Sequence, residues 1–491
     1  MIFKFTLKSI VIPLLAGAVF SLAFAPYYQL FWAPICLSLL FMRINRATSK
    51  IRAFGNAFAF GFGFGAVSTG WLAHAIMLEG PSAWPLVLLA WAGMGLLFGL
   101  FWGIPSALAL FYRAGIRRLW AWAALMTIFE WIRSWFLTGF PWNLTGSVWE
   151  NFLPVLQSAS IFGVYGLGFI TLICMAAPAL WPNRKPLYAA AAILIVLTLW
   201  GAGRLYTATN DTVWGIRLRL VQPNIPQTLK WDPKEADASF AKLRRLSREN
   251  NDTITHVLWP ESAVSFLVNE DTDNRLLMMQ AVRQGGFLIT GGMRLTPDNR
   301  VTNSLFVLDD LANIVTYYDK SHLVPFGEYV PLRGLIPWDK VVPFDFDLSP
   351  GEGVQTLRAA HTPALGPLVC YEVIFSGHVT DKHNRPAWLV NVTNDGWYGD
   401  SAGPYQHLGM ARMRAVEEGL PLARIANTGI SAVFDGYGRM TDHLPLNTEG
   451  VLVTALPTAL PPTPYARTGV WGPMVFCALL LIFLRRRRNN A

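Results

Sequence analysis

Charge is scarce in this chain. Only 14% of its 491 residues are Asp, Glu, Lys or Arg, against about 25% in an ordinary soluble domain. Hydrophobic residues reach 53% and the mean hydropathy is +0.35. These values exclude a simple soluble domain and point to an integral membrane protein. Acids are scarcest at the front: of 31, only Glu79, Glu130, Glu150 and Asp211 precede Thr212. Cysteine is scarce as well. Cys36, Cys174 and Cys477 lie in apolar runs, so Cys370 alone falls in the polar part, which excludes a disulfide framework. His256, His322, His361, His383 and His407 lack paired ligand spacing, and no phosphate-cradling glycine loop stands out. No metal and no cofactor are therefore expected.

What is present is apolar length. A bilayer-spanning helix needs about 20 apolar residues. Candidate runs lie at 8–25, 28–42, 53–76, 85–111, 119–137, 155–181, 187–204 and 468–484, or about eight spans. Basic residues gather in alternate loops: Lys4 and Lys8, then Arg43 to Arg52, Arg113 to Arg118, Arg184 with Lys185, and Arg485 to Arg488. Loops 77–84 and 138–154 hold no Lys or Arg. The positive-inside rule then places both termini in the cytoplasm and residues 212–460 on the outer side. The net charge of +9 belongs to these topology signals and is no argument for nucleic acid. The first 25 residues resemble a signal peptide, but Pro26 disfavours cleavage, so retention is expected. Glu130 and Arg133, three apart in the fifth run, read as a structural pair. Trp142, just past that run, suits an interfacial belt position or a lipid contact.

From Thr212 the pattern changes to short β-rich runs: 216–225, 256–262, 286–292, 303–309, 367–373 and 387–395. Helix candidates at 233–250 and 272–285 lie between some of them, which argues for an α/β layered domain. Stretch 456–468, "LPTALPPTPYART", reads as an extended Pro-rich linker. The expected organisation is a helical unit over 1–211, a soluble domain over 212–460, and a linker, last helix and basic tail over 461–491.

Three runs end in groups that can act together. "WPES" carries Glu261, "YYDKSHLVPFGEYVP" carries Lys320 and Glu328, and "LVCYEV" carries Cys370 and Glu372. A thiol with pKa near ~8.5 is mostly protonated at neutral pH. A carboxylate can take its proton and a lysine can hold the anion that forms, so Glu, Lys and Cys supply base, cation and nucleophile for acyl transfer. Taken singly, each has a plainer reading. Cys370 would be a small core residue, Glu261 a surface acid, Lys320 a solvated lysine, and Glu372 a partner for Arg412 or Arg414. "NDGWYGD" (394–400) would be a turn.

The four motifs "WPES", "YDKSHLVPFGEYVP", "LVCYEVIF" and "NVTNDGWYG", in that order, resemble the nitrilase superfamily. With the apolar runs before and after, the chain resembles that superfamily's membrane-embedded branch, the apolipoprotein N-acyltransferases. The resemblance implies a multi-pass helical membrane protein with an inserted nitrilase-like αββα sandwich. It implies Glu261 as general base, Lys320 as oxyanion-stabilising cation and Cys370 as nucleophile. Glu328, Tyr371, Glu372 and Asn303 are implied in support, and Trp231 and Trp397 in the substrate pocket, with Trp142 added as a third substrate contact. The implied partners are a phospholipid acyl donor such as phosphatidylethanolamine, a diacylglyceryl apolipoprotein acceptor and the bilayer. The implied setting is the bacterial inner membrane, with the catalytic domain periplasmic. Two other classes share some of these features. A membrane-tethered amidase or nitrilase would release ammonia. A transporter with a non-catalytic binding domain would survive loss of Cys370, but its spans would carry more ionisable groups than these do.

Overall fold

The computed structural model describes residues 7–78, 80–230, 232–249, 252–331 and 347–486. The chain divides into two units, residues 1–208 with 467–491, and residues 209–466. Trp231 and Glu79 lie outside the described residues.

The first unit is helical. Each of the eight apolar runs is occupied by a helix: Leu7–Phe20, Trp32–Asn45, Lys50–Ser68, Trp84–Leu108, Ile116–Arg133, Ala159–Ala176, Lys185–Tyr206 and Trp471–Arg486. By length and composition, Pro81–Phe111, Ala159–Leu180 and Lys185–Tyr206 are long and apolar enough to cross a bilayer; the helices at 10–23, 32–45 and 471–485 are apolar but shorter. Helix Leu7–Phe20 crosses Lys50–Ser68 at glycines. A Cβ at Gly17 would meet the Phe60 carbonyl at 1.9 Å, and one at Gly63 the Leu14 carbonyl at 2.1 Å. Small residues let helix backbones approach where lipid offers no hydrophobic drive.

Two expectations change in this unit. Trp142 is fully buried, stacked on Phe140 at 5.8 Å and packed on Trp71 at 4.7 Å, so its ring is covered by protein rather than presented on the outside of the helical unit. The cause lies in the acid–base pair at the end of the preceding helix. Arg133 donates to the carbonyls of Phe140 (2.8 Å) and Trp142 (3.0 Å), and Glu130 accepts from the Thr145 N–H (2.8 Å) and hydroxyl (2.5 Å). The two side chains therefore do more than face each other. They satisfy the backbone after the helix and draw it inward, Trp142 included.

The second unit holds two sheets. The first has the order β11-β1-β2-β3-β4-β5 and the second β10-β9-β8-β7-β6. The strands are β1 Thr212–Gln222, β2 His256–Leu258, β3 Phe287–Leu295, β4 Val301–Asp309, β5 Ile314–Asp319, β6 Leu365–Val369, β7 Trp388–Thr393, β8 Leu422–Ala426, β9 Ser431–Phe434, β10 Met440–Leu444 and β11 Gly450–Pro457. Strands β1, β2 and β3 run parallel, as do β6, β7 and β8; the outer pairs are antiparallel. Leu218, Leu258, Ile289 and Val307 of the first sheet share one core with Val369, Val390, Ile425 and Val433 of the second. Helices Ala236–Arg248 and Thr272–Met278 cover the other face of the first sheet through Phe240, Leu243 and Met278. Helix Gly403–Glu418 packs by β8. The result is the four-layered αββα arrangement.

Stretch 456–468 is no free linker. Part of it is strand β11 and part the short helix Pro464–Thr468. Tyr465 is fully buried with its hydroxyl 2.6 Å from Ser376 Oγ, and the Thr463 hydroxyl donates to the Glu417 carbonyl. Its apolar and hydroxyl side chains find partners in the domain, so composition alone misread it.

Candidate active site

Glu261, Asn303, Lys320, Glu328 and Cys370 converge. Strand β2 stops at Leu258, and Pro260, which has no N–H for a ladder, turns the chain so that Glu261 leaves the sheet. Neighbouring β3 passes closely beneath: a Cβ at Gly291 would meet Glu261 Cα at 2.6 Å. Asn303 sits on β4 and Lys320 directly after β5. The Lys320 ammonium lies 2.9 Å from Glu328 Oε2 and 3.5 Å from Glu261 Oε1. The Asn303 amide spans the same two carboxylates, donating to Glu261 Oε1 at 2.8 Å and to Glu328 Oε1 at 2.9 Å. Lys320 is 1% exposed and Glu261 6%, so their charges are met by one another and by Glu328 rather than by water. Burial alone would lower the Lys320 pKa; the Glu328 and Glu261 carboxylates outweigh it and hold the ammonium well above its ordinary value.

Cys370 begins the tight turn Cys370–Ile374 at the end of β6, with φ +52°. That left-handed conformation is uncommon for a residue with a side chain and turns the chain sharply out of the strand. Glu372 holds the turn. Its Oε2 accepts from the Val369 N–H at 2.8 Å, and its Oε1 accepts from the Tyr318 hydroxyl (2.6 Å), the Ser321 N–H (2.8 Å) and hydroxyl (3.0 Å) and the His322 N–H (3.1 Å). Glu372 thus joins the turn carrying Cys370 to the segment carrying Lys320. It does not serve as a partner for Arg414, whose Nε lies 2.8 Å from Glu417 Oε2. Tyr371 is buried, its ring 5.2 Å from Phe375. Trp397 is half-buried in the short turn Asp395–Trp397.

Burial pushes the Cys370 thiol above its ordinary pKa; Glu261 and Asp395 add to this, while Lys320 and the Thr393 hydroxyl oppose it. A base and a cation close to the sulfur are therefore needed if it is to ionise. Lys230 is a second buried ammonium, unmarked by its sequence. It donates to the Glu261 carbonyl at 2.8 Å. Burial pulls it down to about 8, against the upward pull of Glu261 and Cys370.

A further layer escaped the sequence reading. The Thr393 hydroxyl is 3.2 Å from Cys370 Sγ. Asp395 Oδ2 accepts from Arg424 at 2.6 Å and Asp395 Oδ1 lies 3.0 Å from His407 Nδ1, all three residues being fully enclosed. His407 Nε2 is 3.2 Å from the Cys370 carbonyl. "NDGWYGD" reads as a turn by composition and as pocket lining by resemblance, neither of which singles out Asp395, and His407 lacks ligand spacing. Arg424 did leave a signal: an arginine within the apolar run "PLARIA" must have a buried partner.

Two facing sheets flanked by helices, with a glutamate, a lysine and a cysteine at strand ends, define the class of carbon–nitrogen hydrolases. The carbon–nitrogen hydrolase family model matches residues 217–460. The model of the apolipoprotein N-acyltransferase N-terminal domain matches residues 16–177. An apolipoprotein N-acyltransferase from Rhodopseudomonas palustris is 36% identical, covering 98% of this chain and 96% of the relative. Another, from Bradyrhizobium diazoefficiens, is 40% identical over 79% of this chain and 78% of the relative. A solved CN-hydrolase superfamily protein from Xanthomonas campestris is 21% identical, covers 49% of this chain and 90% of that one, and aligns with TM-score 0.38. The chain belongs to the apolipoprotein N-acyltransferase family, and it is an enzyme.

Proposed function

We infer that this chain N-acylates apolipoproteins in two steps through a thioester on Cys370. In the first, Glu261 takes the Cys370 proton and the thiolate attacks an ester carbonyl of a phospholipid, in our reading phosphatidylethanolamine. A sulfur–carbon bond forms, the ester carbon–oxygen bond breaks, and the lysophospholipid oxygen leaves with the proton held by Glu261. In the second, the α-amino group of a diacylglyceryl-modified N-terminal cysteine attacks the thioester. A carbon–nitrogen bond forms, the carbon–sulfur bond breaks, and the amine proton passes to Glu261 and on to the sulfur. An α-ammonium with pKa about 7.7–8.0 needs such a base at neutral pH. Lys320, with a backbone N–H, stabilises the oxyanion in both steps. Glu328 and Asn303 hold Lys320 and Glu261 in place.

The observation that carries this reading is the Lys320 ammonium shared between Glu328 at 2.9 Å and Glu261 at 3.5 Å, and coupled electrostatically to the buried Cys370. Both substrates are anchored in lipid, and the catalytic unit is continuous with apolar helices at both ends. The alternating basic loops support about eight crossings, cytoplasmic termini and a periplasmic catalytic unit in the inner membrane. Tyr371 and Trp397 are read as pocket residues, with Trp231 beside Lys230 in sequence. The fully buried Trp142 is read as shaping the helical unit.

The test is incubation of the purified protein with acyl-labelled phosphatidylethanolamine. A hydroxylamine-sensitive label should appear on Cys370. Persistence of that label in Cys370→Ala would remove the nucleophile assignment.

A further inference from the structure

The Thr393 hydroxyl has two acceptors and one hydrogen. Its oxygen lies 3.2 Å from Cys370 Sγ and 3.1 Å from Asp395 Oδ1. A hydroxyl can donate to only one of them at a time. Asp395 cannot donate in return. Burial alone would raise its pKa, but Arg424 and His407 hold it down at about 2, so it stays a carboxylate. Without the Thr393 hydrogen, Asp395 still keeps the Arg424 guanidinium at 2.6 Å on Oδ2. The hydrogen can therefore leave Asp395 without stranding a buried charge.

The choice between acceptors follows the state of the sulfur. A neutral thiol or a thioester is a weak acceptor, whereas a thiolate is a strong one. Thr393 is placed to respond. It is fully buried at the end of β7, opposite Ala426 of β8, and its β-branched side chain has few rotamers. We propose that Thr393 is a catalytic residue: its hydroxyl donates to the Cys370 sulfur whenever that sulfur is anionic, and returns its hydrogen to Asp395 when the sulfur is a thiol or thioester. Asp395, fixed by Arg424 and His407, is the positioning residue. The proposal rests on Cys370 being the acylated nucleophile.

The thiolate attacks in the first half-reaction and departs in the second, so one hydrogen bond serves both. A residue that only shaped the lipid or peptide pocket would affect one half. The other groups that act on Cys370 remain in place when Thr393 is changed. Glu261, Lys230 and Lys320 act from the segments after β2, before the helix Ala236–Arg248 and after β5, Asp395 and Tyr398 from the segment after β7, and His407 from helix Gly403–Glu418.

The test uses the full-length protein in detergent, with Thr393→Val, Thr393→Ser and Cys370→Ala. Iodoacetamide alkylation of Cys370, assigned by peptide mass, is followed against pH. The two half-reactions are timed by loading with labelled phosphatidylethanolamine and chasing with a diacylglyceryl lipopeptide. Thr393→Val should move the alkylation midpoint up by about one unit, and at fixed pH slow each half-reaction roughly tenfold. Thr393→Ser should behave like wild type. If valine lowers the melting temperature, Thr393→Ala supplies the same comparison. A wild-type midpoint and wild-type rates in the hydroxyl-free variant overturn the proposal, as does slowing of one half-reaction alone. A hydroxylamine-sensitive label on Cys370→Ala would instead sink the thioester reading itself, while the alkylation profile still reports on the Thr393 contact.

Discussion

Glu372 Oε1 accepts a 2.6 Å hydrogen bond from the Tyr318 hydroxyl, which ties the turn after Cys370 to the strand that ends before Lys320. The same carboxyl serves the Ser321, His322 and Val369 N–H groups. Glu372→Ala strips these buried donors of their acceptor, and each stranded donor costs about 1–3 kcal/mol. The variant should melt well below wild type and form little thioester. Glu372→Gln keeps the shape and one carbonyl oxygen and should fall between them. Thermal unfolding alongside single-turnover acylation measures both effects. A normal melting temperature in the alanine variant would mean that the turn is held by something else.

Lys320 is the cation at the centre of the carboxylate pair. Lys320→Met should lower single-turnover acylation by about 10²–10³-fold, the range for losing an oxyanion donor. The ammonium also lowers the Cys370 pKa. Its removal should shift the alkylation midpoint of Cys370 upward, which separates a chemical role from a loss of substrate affinity.

Lys230 makes stability depend on pH in a predictable direction. Folding brings its pKa down to about 8, while an unfolded lysine titrates near ~10.4. Between these values the unfolded chain binds the proton that the folded chain has released, so stability rises with pH across that window. Below about 8 the buried ammonium is a cost borne by the folded state. Relative to Lys230→Met, the wild-type melting temperature should rise from pH 7.5 to pH 9.5, a window spanning about two units around the shift. A constant difference between the two proteins across that range would refute the burial argument.

Gly291 carries no side chain because Glu261 Cα would lie 2.6 Å from its Cβ. Gly291→Ala must push the turn bearing Glu261 away from β3. Overpacking of this kind costs about 1–3 kcal/mol. Acylation should fall more than stability does, since the displaced group is the proposed base. Comparing melting temperature with the rate of thioester formation tests that ordering.

Much of the architecture was legible in the sequence, for physical reasons. Apolar runs long enough for helices, basic loops between alternate pairs, and short β-rich runs after Thr212 are local patterns that need no partner to be read. Glu261, Lys320 and Cys370 were legible because each closes a strand in a distinctive motif. Other features depend on contacts between distant segments. The burial of Trp142 was not legible because it depends on Arg133 reaching the carbonyls of Phe140 and Trp142. Stretch 456–468 looked like a linker until Tyr465 found Ser376. The Asn303 bridge between two carboxylates, the Lys230 bond to Glu261, the Thr393 contact with Cys370 and the Arg424 bond to Asp395 each join residues well separated in sequence. The sequence alone determined which groups were available for chemistry and roughly where the strands that carry Glu261, Lys320 and Cys370 would end. Only the tertiary structure decided which of them share one buried space, because burial and pairing set the charge of each group there.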